Sequence, residues 1–493
     1  MDKVKTPLFK KLVSHYKSLP TSFHIPGHKM GKGFNPQGKG YYKDILKIDM
    51  TEITGLDDLH QPKSVILKAE QKAARIFKAE KTYFLVNGST SGNLAMILAT
   101  CNSGDKIIVQ KNAHRSVING ILLARAIPIY LNPEPITKLG IAGGINEISL
   151  IKTLETNQNV KAVFITNPNY YGISMNIENI VDIVHRYKIP LLVDEAHGAH
   201  FGLHPSFPNS AIQMGADIVV QSTHKTLSAM TMGSMLHVNS KYIDLDRLQF
   251  FLSMVQTSSP SYPIMASLDL TCGWIEDKGE KLWSPILKYI DLFYQQATLL
   301  REIEVVHNLN KEYTTDPLKI VIHSSNNFLS GLQIQGYLEE KRIYTELADL
   351  FNTLAVVSLG TSHKDLKLLF KSLVKIERSI VNYENNQSEV LTYLQDIYSQ
   401  YNYNEGQEGI LLDKVLFYKN KIIPINAAIG EIAAEMVIPY PPGIPLIQIG
   451  ERITYDYVKH IIRMKELGIK MYGLYGDNLD CLKIFYNSNT LSS

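Results

Sequence analysis

The sequence predicts an α/β fold, a mainly parallel sheet covered by helices on both faces, with smaller α+β domains toward the C-terminus. Three observations predict it. Short runs rich in Val and Ile recur from residue 82 to residue 238: TYFLV (82–86), KIIVQ (106–110), IPIYL (127–131), VKAVFIT (160–166), IPLLVD (189–194), ADIVVQS (216–222) and GSMLHV (233–238). Segments with apolar residues at helical spacing lie between them, such as NLAMILAT (93–100) and IENIVDIVHRY (177–187). The runs are apolar on both faces instead of alternating, as befits strands buried by helices on each side.

The elements follow in order. Residues 1–65 read as an irregular N-terminal arm, because FHIPGHKMGKGF (23–34) and TGLDDLHQP (54–62) are loop-like in Gly, Pro and His. A helix starts near Ser64, with Ile66, Ala69, Ala73, Ile76 and Phe77 on one face. A large α/β domain spans 66–300, its strand-helix alternation concentrated in 70–240. Residues 280–305 read as helical. A small α+β subdomain spans 301–385 and a C-terminal domain 386–493. Within these, 383–409 is polar and reads as helix plus linker. The prolines of IPYPPGIPLIQIGE (438–451) forbid helix and central strand.

Composition bounds the function. The 493 residues correspond to about three domain-sized units. With 45% hydrophobic and 20% charged residues the chain is neither collagen-like, disordered throughout nor a coiled coil. Lys plus Arg is 50 and Asp plus Glu 47, a net +3, which gives no field for nucleic acid or an anionic membrane. Cys101, Cys272 and Cys481 are far apart and odd in number, which fits a reducing compartment. The N-terminus has no secretory apolar run, and no stretch of about 18 apolar residues occurs. A soluble cytoplasmic protein is expected, with no metal site.

Ligands of a parallel α/β sheet bind beyond the carboxyl ends of its strands. After TYFLV stands Asn87-Gly88-Ser89-Thr90-Ser91-Gly92, small residues that suit a phosphate at a helix N-terminus. After KIIVQ stands His114, and after VKAVFIT stands Asn167-Pro168-Asn169-Tyr170. After IPLLV stand Asp194, Glu195, Ala196 and His197, with His200 nearby. After ADIVVQS stand His224 and Lys225. Singly, each has an ordinary reading: a helix cap, a solvated loop His, a capping Asp, a surface Lys. Together they converge on one edge.

Two motif readings lack their partners. DEAH (194–197) resembles a helicase nucleotide motif, but no GxxxxGK[ST] loop occurs upstream. Ser222-Thr223-His224-Lys225 fits SxxK; Ser325-Asn326-Asn327 could supply its SxN companion, but there is no KTG. Pyridoxal phosphate fits better, since it needs a phosphate cradle, a Lys amine and an acid opposite its pyridine nitrogen. A strand-end Asp194 followed by a strand-end Lys225 is the aspartate-aminotransferase order.

FHIPGHKMGKGF, LVNGSTSGN, LLVDEAHGAHFGLHP, GADIVVQSTHKTLSAM, TSSPSYPIMASLD and AAEMVIPYPPGIPLIQIGE resemble the Orn/Lys/Arg decarboxylase family, pyridoxal enzymes of fold type I. The likeness covers 23–275 and 426–452, and QSTHKT and YPPGIP are its specific motifs; 300–420 is only loosely similar. The chain looks like the short form found in Gram-positive bacteria, without the receiver-like N-terminal domain of the large members; that form includes arginine decarboxylases. The resemblance implies an aspartate-aminotransferase-like fold and a role for each matching residue. Lys225 carries the cofactor, with Ser222 and His224 beside it, and Asp194 keeps the pyridine nitrogen protonated. Ser89, Thr90 and Ser91 form the phosphate loop, and His114 stacks on the ring face. His197 stands where some large members carry Trp, and Asn169 where Thr is common.

The activity so implied is decarboxylation of arginine, lysine or ornithine to the amine, as in polyamine biosynthesis, with Cα protonated by Lys225 or a nearby His. A basic side chain needs an acidic anchor. Glu435, just before YPPGIP, is the first candidate, and Asp57 and Asp58 are the reserves; a solvated charge is the ordinary reading of Glu435. The rivals are a fold type I aminotransferase, with Arg452 as the carboxylate clamp, and a non-catalytic pyridoxal-binding protein. A homodimer or higher homo-oligomer is expected. Its sites are shared through PGHKMG and TSSPSYP (257–263), since neither loop follows a sheet strand of its own chain.

Overall fold

The computed structural model describes residues 5–136, 138–307, 309, 313–325, 329–380, 419–440, 445–466 and 469–486. The chain forms two compact units that cut across its order. One comprises Met1–Thr100, Asn176–Leu287 and Ser358–Gly360; the other comprises Cys101–Met175, Lys288–Val357 and Thr361–Ser493.

In the first unit the strands Lys81–Leu85, Ser234–Val238, Ile218–Gln221 and Leu191–Asp194 lie side by side in that order. Ser234–Val238 runs antiparallel to both neighbours, and the last pair is parallel. Apolar patterning marks this strand but carries no information on its direction. The helices Gly88–Thr100, Glu178–Arg186, Leu245–Val255 and Tyr262–Lys278 belong to the same unit. In the second unit Val160–Thr166, Lys106–Gln110 and Ile127–Leu131 are parallel neighbours. Ile303–Val306, Lys319–Ser324, Asn352–Val356 and Leu347–Ala348 form a separate antiparallel sheet. Lys419–Pro424, Cys481–Tyr486 and Ile432–Ala433 form another, packed on the helix Tyr455–Glu466 through Ala433, Val458, Ile461 and Ile484. Residues 280–305 are helical only to Ala297, after which Ile303–Val306 is a strand. The segment 383–409 lies outside the described residues, as does 441–444 within YPPGIP.

The N-terminal arm differs from its irregular reading. Pro7–Lys17 and Pro36–Tyr42 are helices. The first buries Leu8 and Leu12, and its leading N–H groups at Leu8 and Phe9 donate to one oxygen of Asp269, 2.9 and 3.1 Å away. Lys72 meets the other oxygen at 2.8 Å. The cap stands 261 residues away in sequence, so only Pro7 at its first position marks locally where this helix starts. Among the described residues no helix is long and apolar enough to cross a membrane.

Two buried carboxyls of the first unit make its stability depend on pH. Burial pushes Glu70 up to about 8, although Phe84 N–H donates to it at 2.9 Å. Burial likewise pushes Glu195 up to about 8. Each keeps its proton in the folded chain at pH values where the unfolded chain has lost it. Their stabilisation is therefore complete below the ordinary carboxyl range and fades as pH rises toward about 8. Burial takes His237 down to about 3, which costs stability only as pH falls below its unfolded value of about 6.5. Glu70→Gln can still accept from Phe84 N–H. It is expected to flatten the loss of stability between about pH 6.5 and 8 by up to ~1.4 kcal/mol per pH unit. Urea unfolding across that range checks this; parallel curves for the two proteins would refute it.

Candidate active site

Strand register gathers the first unit's chemistry at one sheet edge. Leu85 pairs with Ser234, Met235 with Gln221, and Val220 with Asp194. The ends of three strands and the start of the fourth therefore coincide. Gly88 opens the Gly88–Thr100 helix with a φ of +73°, the left-handed region that glycine enters without strain, and its N–H donates to Met232 O at 3.0 Å. One turn on, a Cβ on Gly92 would stand 2.5 Å from Val220, so only glycine lets the helix lie this close to the strand. The helix start thus points its free N–H groups along the edge.

Side chains complete the edge. Ser89 Oγ meets Ser222 Oγ at 2.7 Å, joining the small-residue loop to the QSTHK segment. Thr90 is exposed, whereas Ser91 is buried and its hydroxyl donates to Gly88 O at 2.8 Å, so Ser91 serves its own helix. Asp194 is buried. Its Oδ2 accepts from Asn93 Nδ2 at 2.8 Å and its Oδ1 from Ala196 N–H at 3.0 Å. Lys225 Nζ lies 3.0 Å from Nε2 of buried His197. His224 is tied to Gly233 O through both its backbone N–H and Nδ1, and burial lowers its imidazole, which favours the neutral ring. Gln221 Nε2 donates to Glu195 at 2.7 Å, and Gln221 Oε1 meets His237 Nε2 at 3.1 Å. Asn93 was legible from its position four residues after Ser89, on the same helix face. Gln221 opens the QSTHKT motif, whereas nothing in the sequence marks His237.

The remaining first-unit candidates differ. Asp57 accepts from the N–H groups of Lys63, Ser64 and Ile66 at 2.7–2.9 Å and caps the Val65–Phe77 helix. Burial alone would raise its carboxyl, but those bonds hold it below the usual range. Asp58 accepts from His60 N–H at 2.8 Å. Both reserve anchors are thus engaged with their own loop. The 257–263 loop follows the Leu245–Val255 helix. Gln256 accepts from Val86 N–H at 2.8 Å and Thr257 N–H meets Asn87 Oδ1 at 3.4 Å. A helix, not a strand, thus brings this loop beside the Asn87–Gly88 turn of its own chain.

In the second unit His114 follows the Lys106–Gln110 strand and caps the Arg115–Ala124 helix, its Nδ1 2.8 Å from Ser116 Oγ. His114 lines a cavity of about 610 Å³ with Arg115, Tyr170, Glu346, Glu435 and Tyr472. The structure thus brings His114 and Glu435 to one cavity. Glu435 is half-buried and engaged. Tyr475 donates its hydroxyl to Glu435 Oε2, and Lys483 stands 3.4 Å from the same oxygen. That bond raises the Tyr475 hydroxyl and keeps it a donor. Gly473, at φ +85°, holds the wall together, since a Cβ there would stand 2.0 Å from Met436 O. Glu346 had no sequence signal. Asn169 is buried and binds Tyr171 N–H, Ile173 N–H and Ala142 O, a turn-holding role. Arg452 is exposed and donates to Gly430 O, which leaves the aminotransferase clamp without its residue. Of the proposed SxN companion, 326 and 327 lie outside the described residues.

A family model described as Orn/Lys/Arg decarboxylase, major domain, matches residues 6–328, and one for the C-terminal domain of that family matches 410–474. The chain is 40% identical to the Bacillus subtilis protein YaaO over 95% of this chain and 96% of that one. It is 34% identical to an arginine decarboxylase of Bacillus subtilis over 98% of both. A solved lysine decarboxylase of Francisella novicida superposes with a TM-score of 0.80 at 23% identity, covering 98% of this chain and 81% of that one. The fold is the aspartate-aminotransferase-like type I fold expected from the sequence.

Proposed function

Because the chain belongs to the Orn/Lys/Arg decarboxylase family, we propose that it decarboxylates a basic amino acid, arginine, lysine or ornithine, with pyridoxal phosphate as cofactor. The observation that carries this reading is the first unit's edge, where a Lys amine, a buried carboxylate and a hydroxyl-lined helix start occur together. These residues fit the cofactor. The helix start with Ser89, Thr90 and Ser222 suits its phosphate. Asp194 has both oxygens oriented by donors yet retains lone pairs for a ring N–H. When bound, the cofactor supplies an aldehyde and a ring that accepts the electron pair left by departing CO2.

The chain's own groups do the rest. Lys225 offers the amine that holds the cofactor, and with His197 3.0 Å away it is placed to move a proton to Cα. Asp194 holds a proton at the ring nitrogen by its charge. Ser91 and His224 are proposed to complete this set, the first with its hydroxyl on Gly88 O and the second with Nδ1 on Gly233 O. In the second unit, His114 and Glu435 are proposed as ligand-binding residues, Glu435 for the substrate's distal cation, in the cavity they share. Burying that cation without a counter-charge would cost several kcal/mol.

A homodimer in a reducing, cytoplasmic setting completes the proposal. Phe250, Met254 and Trp274 of the first unit are exposed apolar side chains of the kind a second copy would cover. A monomer in sedimentation velocity would contradict the dimer.

The test is product analysis with arginine, lysine and ornithine. Equimolar CO2 and the matching amine are expected from at least one. A keto acid with the carboxyl retained would establish the aminotransferase instead, and no product from any of the three would overturn the reading. In the same panel Glu435→Gln is expected to raise the Michaelis constant by the equivalent of ~2–5 kcal/mol.

A further inference from the structure

We infer that the buried Lys111–Glu451 ion pair fixes the spacing between His114 and Glu435 and so sets which substrate chain length the cavity accepts, an inference that rests on the decarboxylase reading above. Lys111 directly follows the Lys106–Gln110 strand and is three residues from His114. Its backbone N–H donates to Leu131 O at 2.8 Å, and Gln448 Nε2 donates to its carbonyl at 3.2 Å. Its ammonium meets Glu451 Oε1 at 2.9 Å and the Tyr457 hydroxyl at 2.8 Å. Tyr457 donates to the same Glu451 oxygen, and Gln448 N–H donates to the other at 2.9 Å. Glu451 is in turn clamped to the wall that bears Glu435. Ala433 N–H donates to Glu451 O at 2.9 Å and Gly450 N–H to Ala433 O at 2.8 Å. An unbroken path of directional bonds therefore runs from the His114 loop through the ion pair to the residue two before Glu435. Ile449, inside this clamp, lines the cavity itself.

Stability alone does not explain the pair. The side chains are 5% and 10% exposed, and a buried ion pair is commonly no more stable than apolar residues of the same volume. What an apolar pair lacks is direction, since it would pack without fixing the register of 446–451 against the strand end. Ornithine and lysine differ by one methylene in the cationic arm, and arginine extends ornithine's arm with a planar guanidinium. A slip of one bond length between His114 and Glu435 would exchange ornithine for lysine, and a longer one would change the reach available to a guanidinium. Lys111 and Glu451 are thus positioning residues, acting through His114 and Glu435.

The experiment compares unmodified protein with Lys111→Met, Glu451→Gln, the double variant and Lys111→Arg. Two quantities are read on each: kcat/KM for the three amino acids, and calorimetric affinity for putrescine, cadaverine and agmatine, which needs no turnover. The expected result is that the preference for the best ligand over the second falls about tenfold or more in both single variants. The double variant should match a single one, because the two act as one unit, and Lys111→Arg should restore most of the preference. Thermal unfolding checks folding. A preference unchanged in folded Lys111→Met, whatever its melting temperature, would overturn the inference and leave a structural pair. If the unmodified chain releases CO2 from none of the amino acids, the decarboxylase reading fails, and the amine preferences still decide this inference. Should the single variants not fold, the double variant, with no unpaired charge, decides it alone by its preference.

Discussion

Lys225→Ala is expected to lose the yellow absorbance of bound pyridoxal phosphate and to lower turnover ~10³-fold or more. His197 Nε2 stands 3.0 Å from Lys225 Nζ, and an imidazole cannot hold the aldehyde as a primary amine does. The loss should be of chemistry and not of folding. Thr223–Thr226 is a single helical turn whose backbone is tied by His224 N–H to Gly233 O and by Leu227 N–H to Thr223 O, neither bond needing the Lys225 side chain. Unfolding curves close to those of the unmodified protein would support this, whereas a yellow, active variant would exclude Lys225. Small primary amines added to the variant should restore a fraction of turnover, which a structural defect would not allow.

Asp194→Asn is expected to slow decarboxylation on the order of 10²-fold or more while leaving the chain folded. The asparagine oxygen can keep the bond from Ala196 N–H. Its amide would then face the amide of Asn93, and relieving that contact costs ~1 kcal/mol. What disappears is the negative charge that keeps a ring nitrogen protonated. Cofactor affinity should change less than turnover, because in the proposed site other residues hold the phosphate and aldehyde ends. Turnover within a few-fold of the unmodified protein would remove Asp194 from the proposed role.

The strand-end set was legible in the sequence because each member follows a short Val- and Ile-rich run, and a parallel sheet brings such ends to one edge. Lys225, Asp194 and Ser89 need nothing more than that rule. What was not legible depends on distant partners. The Pro7–Lys17 helix is capped by Asp269, which no window of sequence could pair with it. Glu435 stood out beside YPPGIP, but its bonds to Tyr475 and Lys483 come from a hairpin about 40 residues on. Asp57 illustrates the opposite case. Its position in GLDDLH left open either anchor or cap, and the N–H groups at the start of the following helix claim it. Glu346 carries no motif at all, and only the folding of the second unit brings it to the cavity of His114.

Borohydride reduction of the protein loaded with pyridoxal phosphate, followed by peptide mapping, bears most directly on the cofactor site. A single phosphopyridoxyl group is expected, on Lys225 in the peptide that contains QSTHKT. Label on any other lysine, or none despite yellow protein, would contradict it.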